Sequence, residues 1–166
     1  MGTRMIKRVI YGILAILWMG IIYSFSAKTG TQSAGTSGGV TRLLLNIFYP
    51  QYNDLPYDMS VRIFETCNFV IRKLAHFTEY AILAELVMLF AATFTDNGVI
   101  TWKTGFIIVL LCGLYAAGDE FHQMFVGGRS PQIRDVIIDT LGALTGMADC
   151  RARWIMINYM KGRNNR

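Results

Sequence analysis

The amino-acid sequence predicts an all-α, polytopic membrane protein: a four-helix transmembrane bundle with a short interfacial helix in the first outer loop. Of the 166 residues, 53% are hydrophobic and only 16% are charged, which is too apolar for an ordinary soluble domain of this size. Several apolar runs also approach the length of about 20 residues that a membrane-spanning helix needs. We therefore expect one integral membrane domain over residues 1–166, with spans at about residues 9–26, 72–94, 102–121 and 132–150.

The first predicted span follows a basic start and is itself uncharged over residues 9–25. Because it ends without a clear small-x-small cleavage site, and because the rest of the chain stays membrane-like, the pattern favours an uncleaved span over a signal peptide. Residues 26–39 are rich in Ser, Thr and Gly, which predicts a loop. Residues 40–49 are too short to span and predict an amphipathic helix that lies on the membrane or dips into it.

The other three spans differ in how many charges they carry. A helical pattern over about residues 59–94 is amphipathic at first and apolar later, although the later part contains His76, Glu79 and Glu85. The third span is uncharged from Thr104 to Gly118. The fourth begins near Pro131, is short and contains Asp139, so we expect neighbouring helices to shield it from lipid.

Basic residues concentrate at the two termini, and the formal net charge is +5. Basic flanks of this kind orient a chain in the membrane, so they explain the charge better than nucleic-acid binding does. We therefore expect no nucleic-acid partner and both termini in the cytoplasm. This topology places the start of the second span, the end of the third and the start of the fourth on the outer side.

Polar residues at helical spacing occur in three of the predicted spans. In the second, Lys73, His76 and either Glu79 or Tyr80 share one helix face. In the third, Asp119 lies on the face of His122 and Gln123, while Glu120 points elsewhere. In the fourth, Asp135 and Asp139 are one turn apart, and the same face continues to Gly142 and Gly146, a GxxxG pair suited to close helix packing. Gly127-Gly128 allows a sharp turn that brings Arg129 over the site.

We infer one shared outward-facing site, because ionisable groups in a membrane segment are costly and usually mark a function. Acid–base chemistry would use the histidines and carboxylates, namely His76, Glu79, Asp119, Glu120 and His122. Substrate binding would use the remaining polar side chains, namely Lys73, Tyr80, Gln123, Arg129, Asp135 and Asp139. No cofactor can be assigned, but a divalent metal held by His76, Asp119 and His122 would fit imidazole and carboxylate ligands.

Each of these groups also has a structural explanation. His76 with Glu79 can be a helix-packing contact, Asp119 with Arg129 or Arg134 a buried ion pair, and Asp135 a helix cap; Arg72 is expected to be a solvated flank. Three hypotheses therefore stay open. They are a membrane-embedded enzyme such as a metal-dependent hydrolase or transferase, a non-catalytic binder or carrier of a lipid or drug, and a helix-locked scaffold subunit that contacts other envelope proteins.

The combined motifs resemble the VanZ-like family of bacterial membrane proteins over about residues 8–150. The residues that carry the resemblance are Arg72-Lys73-x-Ala75-His76-Phe77-x-Glu79-Tyr80, Asp119-Glu120-x-His122-Gln123, Gly128-Arg129, Asp135, Asp139, Gly142 and Gly146. Gly127 departs from the proline that the family usually has there. The resemblance implies a cell-envelope protein of the bacterial cytoplasmic membrane linked to teicoplanin resistance, and it brings no established reaction. A membrane lipid or lipid-linked cell-wall precursor is the partner that the outer site would suit.

Overall fold

The computed structural model describes residues 2–96 and 98–164. These residues form five α-helices and contain no β-strand. The helices are α1 (Gly2–Ser26), α2 (Gly30–Phe48), α3 (Tyr57–Ala92), α4 (Trp102–Gln123) and α5 (Ile133–Asn164), and a short 3₁₀ helix (Pro50–Asp54) joins α2 to α3. The predicted all-α class is therefore confirmed.

Three of these helices, α1, α3 and α4, are long and apolar enough to cross a membrane. The outward side chains of α1 are apolar and exposed, as in Ile16 at 71% and Leu17 at 58%; such a face is typical of contact with lipid. Together these features support a helical membrane protein. Within the described ranges, α5 does not meet the same criterion, so the predicted count of four spanning helices is not confirmed.

The prediction of a loop over residues 26–39 is wrong, because α2 begins at Gly30. A capping box starts this helix: the Thr29 hydroxyl accepts from the Gln32 amide at 3.4 Å, and the Gln32 side chain accepts from the Thr29 amide at 3.1 Å. The helix then packs on α3, where the Thr41 hydroxyl donates to Asn68 at 3.1 Å. Capping and packing outweigh the low helix propensity of Gly, Ser and Thr. The short helix predicted at residues 40–49 is thus the second half of a 19-residue helix.

Helices α3 and α5 run parallel and touch through their backbones. A Cβ atom at Gly142 would lie 2.1 Å from the Phe77 carbonyl oxygen, and one at Gly146 would lie 2.2 Å from that of Ala81. Only glycine permits so close an approach, as the GxxxG pattern predicts. The contact between Arg153 of α5 and Glu85 of α3, at 2.6 Å, extends the same pairing toward the C-terminal halves of both helices.

The core lies between α1, α3, α4 and α5. Its fully buried side chains include Ile22, Tyr80, Met88 and Met147, each at most 2% exposed. The start of α1 and the end of α3 lie at one end of this core. There the Arg4 guanidinium lies 3.4 Å from the Asp96 carboxylate. The ends of α1 and α4 and the start of α5 lie at the opposite end, which also holds the polar residues that the motifs single out.

Candidate functional site

A cavity of about 260 Å³ lies at this second end of the bundle. It is bounded by the end of α1, the first half of α2, the middle of α3, the end of α4 and the loop between α4 and α5. Its lining combines apolar, hydroxyl, basic and acidic side chains: Ile22, Phe25, Ser26, Lys28, Ser33, Thr36, Ser37, Val40, Ile71, Arg72, Ala75, His76, Glu79, Asp119 and Arg129.

The loop between α4 and α5 is fastened to the junction of α1 and α2. The Arg129 side chain donates to the Lys28 carbonyl at 3.0 Å and to the Phe25 carbonyl at 3.2 Å. The Gly30 amide donates to the Gly127 carbonyl at 3.1 Å. Gly128 has a φ of +73°, and a Cβ atom at Gly30 would lie 2.0 Å from the Gly128 carbonyl oxygen. Both glycines are therefore needed for this turn to place Arg129 against the cavity.

His76 faces the cavity with Asp139 behind it. The Nδ1 atom of His76 lies 3.5 Å from an Asp139 carboxylate oxygen. Asp139 is 1% exposed, and neither of its oxygens has a hydrogen bond within the described part of the chain. This pair joins α3 to α5, whereas helical spacing had suggested a contact between His76 and Glu79 on the same helix. Glu79 instead lines the cavity, and its backbone carbonyl accepts from the Trp18 indole at 2.8 Å.

Asp119 also lines the cavity, but it forms no ion pair with a residue that the structure describes. One of its oxygens accepts from the Gln123 side chain at 3.4 Å, and Gln123 in turn donates to the Ser26 hydroxyl at 3.1 Å. The other oxygen is buried and has no hydrogen bond to the residues described. The sequence suggested an ion pair of Asp119 with Arg129 or Arg134. Arg129 instead donates to the Lys28 and Phe25 carbonyls at the junction of α1 and α2, and Arg134 is exposed.

The remaining residues of the predicted site lie beside the cavity. The Glu120 carboxylate points away from it and accepts from the Gln132 amide at 2.7 Å, which holds the approach to α5. The His122 ring contacts Tyr23, whose hydroxyl lies 3.3 Å from its Nε2 atom. Lys73 forms an ion pair with Asp135, and both side chains are mostly buried.

The hydroxyl of Tyr80 has no hydrogen bond in the part of the chain that the structure describes, and the residue is fully buried. Like Gln123, it therefore lies behind the cavity wall. Of the predicted residues, the structure brings His76, Glu79, Asp119 and Arg129 to the cavity itself.

Several cavity residues were missed by the sequence analysis. Arg72, expected to be a solvated flank, is half-buried and lines the cavity. Its position four residues before His76, on one helix face, was an available signal. The hydroxyl groups of Ser33, Thr36 and Ser37 were not predicted to belong to the site, because their segment was predicted to be a loop. The spacing Thr29-x-x-Gln32, which is typical of a capping box, would have indicated the helix.

The metal hypothesis requires the three ligands His76, Asp119 and His122 to converge. Among the described residues, no group of three His, Cys, Asp or Glu side chains is arranged to hold a metal ion. In this geometry His122 packs against Tyr23, outside the cavity that His76 and Asp119 line. These residues therefore do not fit a metal centre, and the function proposed below uses none.

Comparison with known proteins identifies the family of the chain. The family model described as VanZ/LLP1 matches residues 11–155, a stretch that includes all the cavity-lining residues. Comparisons with curated proteins and with solved structures gave no match. Since the family model covers most of the chain, the protein belongs to the VanZ-like family.

Proposed function

We propose that this VanZ-like protein binds an anionic, lipid-linked cell-wall precursor in the cavity and thereby contributes to tolerance of glycopeptides such as teicoplanin. Family membership supports a place in the cell envelope. The observation that carries the proposal is the mixed lining of the cavity, in which Ile22, Phe25 and Ile71 lie beside Arg72 and Arg129. Apolar walls with a few placed charges suit a ligand that has both a hydrocarbon chain and a charged head.

The proposed topology has four crossings of the bacterial cytoplasmic membrane and both termini in the cytoplasm. Its support is the parallel packing of α3 and α5, from the contact of Lys73 with Asp135 to that of Glu85 with Arg153. If α3 crosses the bilayer, α5 lies beside it at the same depth and crosses as well. Neighbouring helices cover its polar face, which explains why its composition alone is a weak membrane signal. The cavity then opens at the outer leaflet.

Reporter fusions test this topology. A fluorescent protein fused after Arg166 should fluoresce, whereas alkaline phosphatase fused there should be inactive, because both reporters would lie in the cytoplasm. Fusions in the loop between α2 and α3 should show the opposite pattern. Active phosphatase at the C-terminus would mean that α5 does not cross.

A second candidate function, acid–base catalysis on the same ligand, is favoured by the contact between His76 and Asp139. A carboxylate that faces one ring nitrogen orients the imidazole and stabilises its protonated form, which leaves the other nitrogen to exchange a proton with a ligand. Glu79 and Asp119 line the same cavity and would be the partner acids. The reaction class would be hydrolysis or group transfer.

Cavity variants separate these functions from a purely structural role. His76→Ala and Asp119→Asn should lose teicoplanin tolerance while the purified proteins keep the unfolding temperature of the parent. Glu65→Gln, an exposed carboxylate on the same helix as His76, is the control and should behave as the parent. Loss of folding in step with tolerance would favour the scaffold hypothesis, and folded variants with full tolerance would refute a functional cavity.

A turnover assay then distinguishes an enzyme from a non-catalytic binder. Membranes that contain the parent protein are incubated with lipid-linked precursor, and the products are followed by mass spectrometry. Conversion that His76→Ala abolishes would establish the enzyme. Binding without conversion, lost in Asp119→Asn, would establish the binder.

A further inference from the structure

We propose that Arg72 and Arg129 form a phosphoryl-binding site at one end of the cavity, so that the ligand is a phosphate ester of a lipid. This inference rests on the proposed function, because it names the head group that the cavity would hold. Four features of the cavity support it: a guanidinium without a described partner, a second guanidinium fixed by two hydrogen bonds, a third cation in the lining, and the separation of basic from acidic groups along α3.

Arg72 is half-buried in the cavity wall. Within residues 2–96 and 98–164, its side chain makes no hydrogen bond, ion pair or ring contact. None of its side-chain nitrogens is among the fully buried polar atoms without a partner, so the guanidinium remains accessible from the cavity. By contrast, the neighbouring Lys73 is paired with Asp135. The five N–H donors of Arg72 are therefore free for an external acceptor.

Arg129 provides the second guanidinium and is rigid. The carbonyls of Lys28 and Phe25, at the junction of α1 and α2, accept from its Nε and Nη2 atoms, and its Nη1 group has no hydrogen bond to a described residue. Burial, and after it the nearby positive charge of Arg72, lowers the pKa of Arg129, although carboxylates that include Glu120 partly oppose this. The guanidinium stays charged nonetheless, because its ordinary pKa is far above neutrality. Both guanidiniums line the same cavity, so an anion bound there would be attracted by two positive charges.

Lys28 adds a third positive charge to the cavity lining. Its ammonium group lies 3.3 Å from the Thr36 hydroxyl and 4.4 Å from the centre of the Phe25 ring. In the described structure the half-buried Ser33 hydroxyl, which also lines the cavity, has no hydrogen-bond partner and can donate to a ligand. Three cations and a free hydroxyl exceed what one carboxylate needs. They match the charge and the several oxygens of a phosphoryl group.

The cavity is polarised along α3. Arg72 and Glu79 are seven residues apart, which corresponds to about 10 Å along a helix. His76 lies between them, and Asp119 reaches the cavity from α4. A phosphoryl group would therefore bind at the arginine end, since the acids would repel it from the other end. The group esterified to the phosphate would then extend toward His76, and the apolar residues of α1 and α2 would contact the hydrocarbon chain.

Calorimetric titration of the full-length protein in an uncharged detergent tests the site. The probes are farnesyl phosphate, farnesol and inorganic phosphate. We expect Arg72→Gln to weaken farnesyl phosphate binding by about tenfold or more and to leave farnesol binding unchanged. Because Arg72 has no partner in the described protein, Arg72→Gln should not lower the unfolding temperature. Arg62→Gln, an exposed arginine of the same helix, is the matched control and should bind as the parent does.

The outcomes distinguish this inference from the proposed function. Equal farnesyl phosphate affinity in the parent and in folded Arg72→Gln would overturn the phosphoryl site. If inorganic phosphate binds as tightly as farnesyl phosphate, and only when Arg72 is present, the anion site stands but the lipid assignment fails. If Arg72→Gln loses farnesyl phosphate binding while cells that carry it keep full teicoplanin tolerance, the phosphoryl site stands and the proposed role in tolerance fails.

Discussion

The two ends of the helix bundle both carry charged side chains, but these side chains are partnered differently. At the end that holds the chain termini, Arg4 reaches Asp96 and Arg8 donates to the Thr93 carbonyl at 3.1 Å. Arg151 donates to the Ile100 carbonyl, and its guanidinium lies 4.1 Å from the centre of the Trp102 ring. At the cavity end, individual atoms of carboxylate, imidazole and phenol groups are buried without hydrogen bonds to the described residues.

The difference indicates which end was shaped for stability and which for a ligand. Paired arginines near the helix ends fix helix positions and suit the membrane–water boundary. Buried polar atoms without partners destabilise a fold, so they are retained where another molecule can satisfy them or where chemistry needs them. In the described part of the chain, every such side-chain atom except Arg151 Nε belongs to the cavity end. Substitutions at the two ends and between them test this contrast.

The largest loss of stability is expected at the close contact between α3 and α5, the two helices that connect the ends of the bundle. Gly142→Ala would place a methyl group 2.1 Å from the Phe77 carbonyl oxygen, so the helices must separate. We expect the free energy of unfolding to fall by about 3 kcal/mol or more, measured by denaturation in detergent. Gly20→Ala, where the added atom meets nothing within 4 Å, is the control and should be neutral or slightly stabilising. Equal effects in both variants would contradict the close packing.

The next largest effect is a difference in teicoplanin tolerance between variants at the two ends of the bundle. Asp139→Asn removes the charge that faces His76 and should reduce teicoplanin tolerance to that of cells lacking the protein. Stability should be unchanged or higher, because a buried carboxylate without a hydrogen bond is costly to desolvate. Asp96→Asn, at the exposed end of the bundle, should leave tolerance intact. If both variants lost tolerance equally, tolerance would not depend specifically on the cavity end of the bundle.

A moderate effect is expected at the start of α2, which forms one wall of the cavity. Thr29→Ala removes the side-chain half of the capping box and should cost about 1 kcal/mol. Gln32→Ala removes the reciprocal half and should cost less. Thermal unfolding measures both losses, and hydrogen exchange should become faster in the first turn of α2. Unchanged exchange in that turn would show that packing on α3, and not the cap, starts the helix.

The smallest effect is expected at the exposed pair between Arg4 and Asp96. Both side chains face solvent, with side-chain exposures of 54% and 108%. Water and salt screen such a contact, so Arg4→Ala should leave the unfolding temperature unchanged at physiological ionic strength. A clear loss of stability that disappears in high salt would mean that this end is held by electrostatics after all.

Much of the fold could be predicted because membrane helices have a strong local signal. The charge-free run of α1, the long pattern of α3 and the uncharged centre of α4 each predict a helix from composition and length. The GxxxG pair of α5 likewise predicts its packing. The start of α2 was mispredicted, because its Ser, Thr and Gly residues favour a loop by composition. Only the capping interaction of Thr29 and its packing on α3 make this segment helical.

The site could be predicted only as a set of polar residues. Helical spacing places His76 and Glu79 near one face, but it does not say which helix supplies their partners. Asp139 is the partner of His76 because α3 and α5 run parallel, and this arrangement does not follow from helical spacing. Helical spacing places Arg72 on the face of His76, but only the structure shows that it shares a cavity with Arg129 and has no described ion-pair partner.

Composition and motifs were sufficient to identify a helical membrane protein of the VanZ-like family with ionisable residues in its apolar helices. Local composition and motif spacing carry that information, since each depends only on residues close together in the chain. The tertiary structure alone decided which polar residues share a cavity and which merely pack. Which residues share the cavity depends on the direction and register of the helices, and on a glycine turn that places Arg129 at the end of α1. Both features involve residues that are far apart in the sequence.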